Sequence, residues 1–190
     1  MPKKEIKISK LMSDINKIKE KYLTMDMTIE EDYVFPVYIS KNVMNDIEKL
    51  CKGSKLEIFG YLVGEILKWK DQKYVQIEDH LYIKGAVHSH QFSTAQIEGT
   101  AGKYEKKFQK LKKKKEDDSD IQLRIVGWWH SHPSFGVFLS ATDIATQDFF
   151  FPESYQVALV VDPIAEVNAF FSLDKNANKG YKEVSYAIIQ

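Results

Sequence analysis

The chain has 190 residues, of which 44% are hydrophobic and 13% aromatic, enough for one domain with its own core. Its 27 basic and 27 acidic side chains cancel, so no net field favours nucleic acid or an anionic membrane as a partner. The single cysteine, Cys51, excludes an internal disulfide and fits a reducing compartment. Because no apolar run is long enough for a signal peptide or a membrane span, the sequence predicts a soluble, cytoplasmic protein.

The first predicted element is an amphipathic helix within an N-terminal extension, residues 1–28. Its apolar residues recur at alternating steps of three and four, at Ile8, Leu11, Ile15, Ile18 and Tyr22. This stripe predicts a helix that either covers the domain or pairs with another chain, in a homodimer or with a partner subunit. A polar joint, MTIEED, leads to the main domain over residues 34–190.

The main domain mixes strand and helix patterns. Strands are predicted over residues 34–39, 57–69, 73–83, 123–130, 156–162, 166–173 and 184–190, and helices over residues 40–53 and 103–120. In the second helix Tyr104, Phe108 and Leu111 face inward, while the lysines form a solvated face or dock an acidic partner. Cys51 ends the first helix, where packing is favoured over a role as nucleophile. The pattern predicts an α/β fold with a mixed central sheet flanked by helices.

A short run near the middle, HSHPSFGVFLSATD over residues 130–143, carries the best indication of function. Histidines two residues apart, His130 and His132, project from one face of a strand, and Asp143 can return to them on the first turn of a helix. Two imidazoles and one carboxylate suit zinc. Three protein ligands leave one position open, as in catalytic sites, where bound water becomes a nucleophile near neutral pH.

Each of these residues also has an ordinary structural interpretation. Most histidines are partly buried hydrogen-bonding groups, and Ser140 with Asp143 fits the box that caps a helix. The structural interpretation requires five residues, namely two histidines, a proline, a serine and an aspartate, to fall at fixed offsets by chance. The cap is also compatible with a metal site, because it fixes the angle at which the helix presents Asp143 and the hydroxyl of Ser140.

At these residues the chain resembles the JAMM family, the MPN-plus metalloisopeptidases, with its signature of His-x-His-Pro, a six-residue spacer and Ser-x-x-Asp. The flanks GWWHSHP, ATDIATQDFF and QVALVVDP look like proteasome-lid and signalosome members, and the resemblance covers roughly residues 34–190. It implies an MPN fold with cytidine-deaminase-like layers. One departure is Ser134, where relatives commonly have glycine.

The resemblance also implies an activity: cleavage of the bond after the C-terminal glycine of ubiquitin or a ubiquitin-like protein. His130, His132 and Asp143 would bind one zinc ion per chain, and Ser140 would hydrogen-bond the tetrahedral intermediate. Glu57, in EIFGYLVG, matches the family's Glu-x-x-Gly pattern and would be the general base. Otherwise Glu57 faces solvent at a strand end, and the base is one of Glu65, Glu78 and Glu98.

A second HSH sequence contains His88 and His90 but lacks the trailing Pro, Ser and Asp. Its position corresponds to a family insertion that lines the groove for the ubiquitin-like tail, so His88 and His90 are expected along a substrate groove. Trp128 is a further candidate for that groove, although packing of Trp128 and Trp129 beside the metal site is favoured over binding of a cofactor. The alternatives for the histidines are a solvated loop and a second metal site. Backbone strand addition would hold the extended tail.

Two other classes of function compete with the isopeptidase. A non-catalytic MPN scaffold is the main alternative, although such members usually lack ligands that this chain retains. A zinc deaminase needs a Pro-Cys-x-x-Cys motif, which a single cysteine does not supply. The sequence leaves open the modifier, the linkage preference, precursor processing against deconjugation, and the need for an activating partner.

Overall fold

The structure, a computed structural model, describes residues 36–69, 72–85, 97–116 and 122–190. Within these ranges the strands are β1 (Val37–Ser40), β2 (Phe59–Trp69), β3 (Gln72–Tyr82), β4 (Arg124–Ser131), β5 (Val157–Asp162), β6 (Val167–Leu173), β7 (Tyr181–Val184) and β8 (Tyr186–Ile189). The helices are α1 (Lys41–Lys52), α2 (Ala101–Glu116) and α3 (Ala141–Phe150). None of the helices in this part of the chain is long and apolar enough to cross a membrane. The predicted N-terminal extension, residues 1–28, lies outside the described residues.

The strands form one mixed sheet in the order β7-β6-β5-β4-β2-β3-β1-β8. β4 is parallel to β5, and β1 is parallel to β3 and β8, while the other neighbours are antiparallel. The predicted α/β fold with a mixed sheet and flanking helices is confirmed. The prediction of one strand over residues 184–190 is wrong, because Ser185 divides β7 from β8. The sequence of β7, YKEV, has two exposed charged residues at its centre and therefore lacks the apolar pattern that predicts a strand.

The sheet curls around α1. β7 and β8 lie at opposite ends of the sheet although Ser185 alone connects them, so the two ends must approach each other. Tyr186 of β8 accordingly packs on Phe170 of β6, with ring centroids 4.9 Å apart. Inside the curl α1 buries Val43, Met44, Ile47 and Cys51. The predicted packing role of Cys51 is confirmed, and burial raises the pKa of its thiol to about 12.

A second core covers the opposite face of the sheet, against α2 and α3. Tyr104 and Phe108 of α2 are buried there, with Leu111 packed beside them as predicted. β4 is central, paired on both sides and buried from Val126 to Ser131. Burying one large apolar side chain stabilises the fold by ~1.5–3 kcal/mol, so the carboxyl end of β4 is firmly anchored.

Candidate metal centre

The candidate site lies at the carboxyl end of β4. His130 is the penultimate residue of the strand and His132 follows its last residue. Both side chains are buried, and their Nε2 atoms lie 3.0 Å apart. Backbone hydrogen bonds hold the segment on both sides, since the Ser131 amide donates to Ile58 and the His132 amide to Val161. The two rings therefore meet at one point, as the spacing predicted.

Asp143 reaches the same point from the first turn of α3. Ser140 is the N-cap of this helix: its Oγ accepts from the Asp143 amide at 3.2 Å, and Asp143 Oδ2 accepts from the Ser140 amide at 2.6 Å. This reciprocal capping box fixes the carboxylate. Its Oδ1 lies 3.4 Å from His130 Nε2, and its Oδ2 lies 3.6 Å from His132 Nε2.

These separations fit a tetrahedral zinc ion. Zinc binds imidazole nitrogen and carboxylate oxygen at about 2.0–2.2 Å, so two ligand atoms at a tetrahedral angle stand about 3.3–3.6 Å apart. The observed distances of 3.0, 3.4 and 3.6 Å lie close to this range. His130, His132 and Asp143 can therefore hold one metal ion and leave a fourth position for another ligand.

The hydrogen bond on the far side of His132 prepares its Nε2 atom to bind a metal. Nδ1 lies 3.2 Å from the carbonyl oxygen of Gly136. A carbonyl only accepts, so Nδ1 carries the proton in the neutral ring and Nε2 keeps its lone pair. This is the usual arrangement for a histidine ligand of a metal.

The charges around the site favour a cation. Burial alone would raise the pKa of Asp143, but His130 and the hydrogen bonds from both histidines and Ser140 hold it well below its usual range. Burial lowers the pKa of His130. For His132 burial acts in the same direction, but Asp143 and Glu57 raise its pKa overall. Two carboxylates thus surround the imidazoles with negative charge, which a metal ion would neutralise.

Glu57 stands beside the two histidines. Its side chain is buried, with Oε1 4.0 Å from His132 Nε2. The interpretation of Glu57 as a solvent-facing residue is therefore wrong. The three alternative candidates for the general base are hydrogen-bonded elsewhere or exposed. Glu65 accepts a hydrogen bond from the Gln122 amide, and Glu78 accepts one from the Gln76 side chain. Glu98 faces solvent.

Comparison with known proteins identifies the family. Residues 32–153, more than half of the chain, match the family described as JAB1/Mov34/MPN/PAD-1 ubiquitin protease. The chain belongs to this MPN family. The predicted resemblance to JAMM proteins is confirmed, because the relatives of this MPN chain include subunits of the signalosome and the proteasome.

Two relatives match most of the chain. COP9 signalosome complex subunit 5 of Debaryomyces hansenii is 32% identical over 155 residues, covering 73% of this chain and 30% of the relative. The 26S proteasome non-ATPase regulatory subunit 14 of Dictyostelium discoideum is 28% identical over 151 residues, covering 78% and 45%. The MPN chain thus spans less than half the length of either relative.

A shorter match and a solved structure complete the comparison. Ubiquitin carboxyl-terminal hydrolase RPN11 of Saccharomyces cerevisiae is 49% identical over 51 residues, covering 26% of this chain and 17% of the enzyme. The solution structure of a protein from Desulfitobacterium hafniense superimposes with a TM-score of 0.52 at 19% identity, covering 81% of this chain and 92% of that protein. This likeness supports the fold alone.

Trp128 supports the site from inside the MPN domain. Its indole stacks on His130, with centroids 4.5 Å apart and planes inclined by 10°, and its Nε1 donates to Gln147 at 2.6 Å. The expected packing of Trp128 beside the metal site is thus confirmed, and its place in a substrate groove is wrong, because its side chain is 0% exposed. His88 and His90, predicted for the same groove, lie outside the described residues.

Two buried polar residues near the site were missed by the sequence patterns, Gln147 and Asp162. Gln147 joins Trp128 to α3. Asp162 ends β5, the parallel neighbour of β4, and the carboxyl ends of adjacent parallel strands are where functional groups gather. An aspartate directly after an apolar strand was the available signal for Asp162.

Proposed function

We propose that this MPN protein is a zinc-dependent isopeptidase that hydrolyses the bond after the C-terminal glycine of ubiquitin or a ubiquitin-like protein. The main support is one observation: Glu57 is buried with Oε1 4.0 Å from Nε2 of His132, which meets His130 and Asp143. Burying another carboxylate beside metal ligands is unfavourable by itself, so its presence suggests a task in proton transfer.

Each residue has a distinct part in this proposal. His130, His132 and Asp143 would hold the zinc ion, which would supply Lewis acidity and lower the pKa of water near the scissile bond. Glu57 takes a proton from the attacking water and hands it to the leaving lysine amine. Ser140 Oγ accepts from the Asp143 amide, so its hydroxyl hydrogen can be donated to the oxyanion that develops on the scissile carbonyl.

The names of the relatives support the substrate class and a partner. One is a ubiquitin carboxyl-terminal hydrolase, and others are subunits of the COP9 signalosome and the 26S proteasome. We therefore propose ubiquitin-like conjugates as substrates and a second subunit, or a second copy, as partner. Contact through residues 1–28 and a cytoplasmic location remain predictions from the sequence.

The decisive experiment is cleavage of a panel of ubiquitin-like proteins fused through their terminal glycine to a fluorescent reporter. We expect at least one member to be cleaved and a zinc chelator to stop the reaction. Zinc bound without cleavage of any member would favour the alternative function, a non-catalytic MPN scaffold, or an enzyme that needs an activating partner.

Variants separate the base from the metal ligands. Glu57→Gln should keep zinc while losing ~10²–10⁴-fold in cleavage rate, the usual contribution of a general base. His130→Ala should lose both zinc and cleavage. The matched control is Glu65→Gln, because Glu65 is equally buried, at 7%, but its carboxylate binds the Gln122 amide. A Glu57→Gln protein as fast as the wild type would refute the assignment of the base.

A further inference from the structure

Asp162 is a buried carboxylate at the end of β5 that organises two segments at once. It accepts four backbone hydrogen bonds, from the amides of Ser134 (3.1 Å), Gly136 (2.7 Å), Ile164 (2.9 Å) and Ala165 (3.1 Å). The last two belong to the turn after β5, an ordinary use of aspartate. The first two belong to the loop that follows the metal ligand His132.

Gly136 connects Asp162 to His132. The Gly136 amide donates to Asp162 Oδ2, and the Gly136 carbonyl accepts from His132 Nδ1. The Asp162 carboxylate therefore fixes the amide of Gly136, and the carbonyl of the same glycine fixes the imidazole of His132. If the loop moved, the orientation of the ring and the position of its proton would no longer be fixed.

The loop needs such an anchor because its backbone is unfavourable. Ser134 has φ of 71° and Gly136 has φ of 80°. Glycine adopts this left-handed conformation readily, but a side chain such as that of Ser134 crowds its own backbone there. Hydrogen bonds to a charged acceptor are stronger than neutral ones, so the Asp162 carboxylate is suited to hold both residues in place.

We infer that Asp162 is a positioning residue for the metal centre: through Gly136 it sets the orientation and tautomer of His132. The inference rests on the proposed zinc site. It adds to that site a residue on β5, 30 positions after His132 in the chain, that acts without being a ligand.

The test is Asp162→Asn, which keeps the shape of the side chain but replaces one acceptor oxygen by an NH₂ group. The matched control is Asp174→Asn, because Asp174 also accepts a backbone amide, that of Asn176, in the turn after β6. Nitrogen NMR of the metal-free proteins reports the tautomer of His132. Competition with a chromogenic chelator reports zinc affinity.

We expect wild-type His132 to carry its proton on Nδ1 and the Asp162→Asn protein to lose this single tautomer. Its zinc affinity should fall ~10–100-fold, the usual effect of losing a group that orients a ligand. Asp174→Asn should change neither property.

Two results would overturn the inference. One is a wild-type His132 with its proton on Nε2, which decides the matter even if Asp162→Asn does not fold. The other is an Asp162→Asn protein with wild-type zinc affinity. A wild-type protein that binds zinc but cleaves nothing would count against the proposed activity and leave the role of Asp162 standing.

Discussion

Ser131 and Ile58 are joined by two hydrogen bonds. The Ser131 amide donates to the Ile58 carbonyl at 3.0 Å, and Ser131 Oγ accepts from the Ile58 amide at 3.0 Å. Ile58 follows the proposed base Glu57, and Ser131 separates the two proposed histidine ligands. The pair therefore sets the spacing between the proposed base and the candidate metal centre. Ser131, the second residue of HSHP, thus has a structural role of its own.

Ser131→Ala is predicted to impair cleavage more than zinc binding. The substitution leaves the buried Ile58 amide without its side-chain acceptor, which lowers the free energy of unfolding by ~1–3 kcal/mol. Because Glu57 precedes Ile58, the position of the Glu57 carboxylate becomes less well fixed. Single-turnover cleavage and chelator competition on one preparation measure both effects. Ser172→Ala, the same change on β6, is the control. Equal losses of rate and affinity would argue against this role.

Ser134→Gly is predicted to stabilise the fold. Ser134 has φ of 71°, where glycine is favoured over other residues by ~1 kcal/mol, so the family's usual glycine should raise the free energy of unfolding by about that amount. Urea denaturation of the metal-free protein measures it. Ser172→Gly, at the penultimate position of β6, is the control and should be destabilising. A loss of stability with Ser134→Gly would mean that the side chain makes compensating contacts.

His80 is predicted to make stability depend on pH. Burial lowers the pKa of this ring, which packs near Trp129, and the charges of Asp79 and Asp46 only partly oppose the shift. Protonation of His80 therefore favours the unfolded chain. The neutral ring's contribution to the free energy of unfolding is fully present above the ordinary pKa of 6.5. It is lost as the pH falls through the lower pKa of His80 in the folded protein.

The free energy of unfolding should fall between about pH 7 and about pH 5, and His80→Gln should reduce that fall. Urea titrations at both pH values measure it, and the difference between the two proteins isolates His80 because the other histidines are unchanged. Identical pH dependence in both proteins would show that the environment of His80 does not disfavour its charged form.

The proposed metal ligands could be predicted as a cluster because they are local in sequence. A strand places His130 and His132 on one side, and the cap of α3 orients Asp143, so little depends on the rest of the fold. Glu57 required the family pattern, whose glycine has a structural reason. A Cβ on Gly60 would lie 2.3 Å from the Leu81 carbonyl oxygen and 2.4 Å from the Trp129 ring.

The remaining features depend on contacts between distant segments. The hydrogen bonds of Asp162 to Ser134 and Gly136 join residues 28 and 26 positions apart, and no periodicity marks them. The two ends of the sheet, β7 and β8, likewise come close at Ser185 because of the strand order, which local sequence does not reveal. The sequence pattern also does not show whether Trp128 reaches a substrate groove, because a strand covered on both faces does not indicate which residues reach solvent.

Gln147→Leu is predicted to destabilise the protein by roughly 2–4 kcal/mol, because it removes several buried hydrogen bonds at once. Its Oε1 accepts from Trp128 Nε1 at 2.6 Å, and its Nε2 donates to the carbonyls of Phe151 at 2.8 Å and Gln156 at 3.1 Å. Since Trp128 stacks on His130, zinc affinity should fall as well.

Thermal unfolding and chelator competition measure the two effects of Gln147→Leu. Gln109→Leu, on the exposed face of α2, should stay within ~0.5 kcal/mol of the wild type. A Gln147→Leu protein as stable as that control would show that packing alone holds α3 against β4.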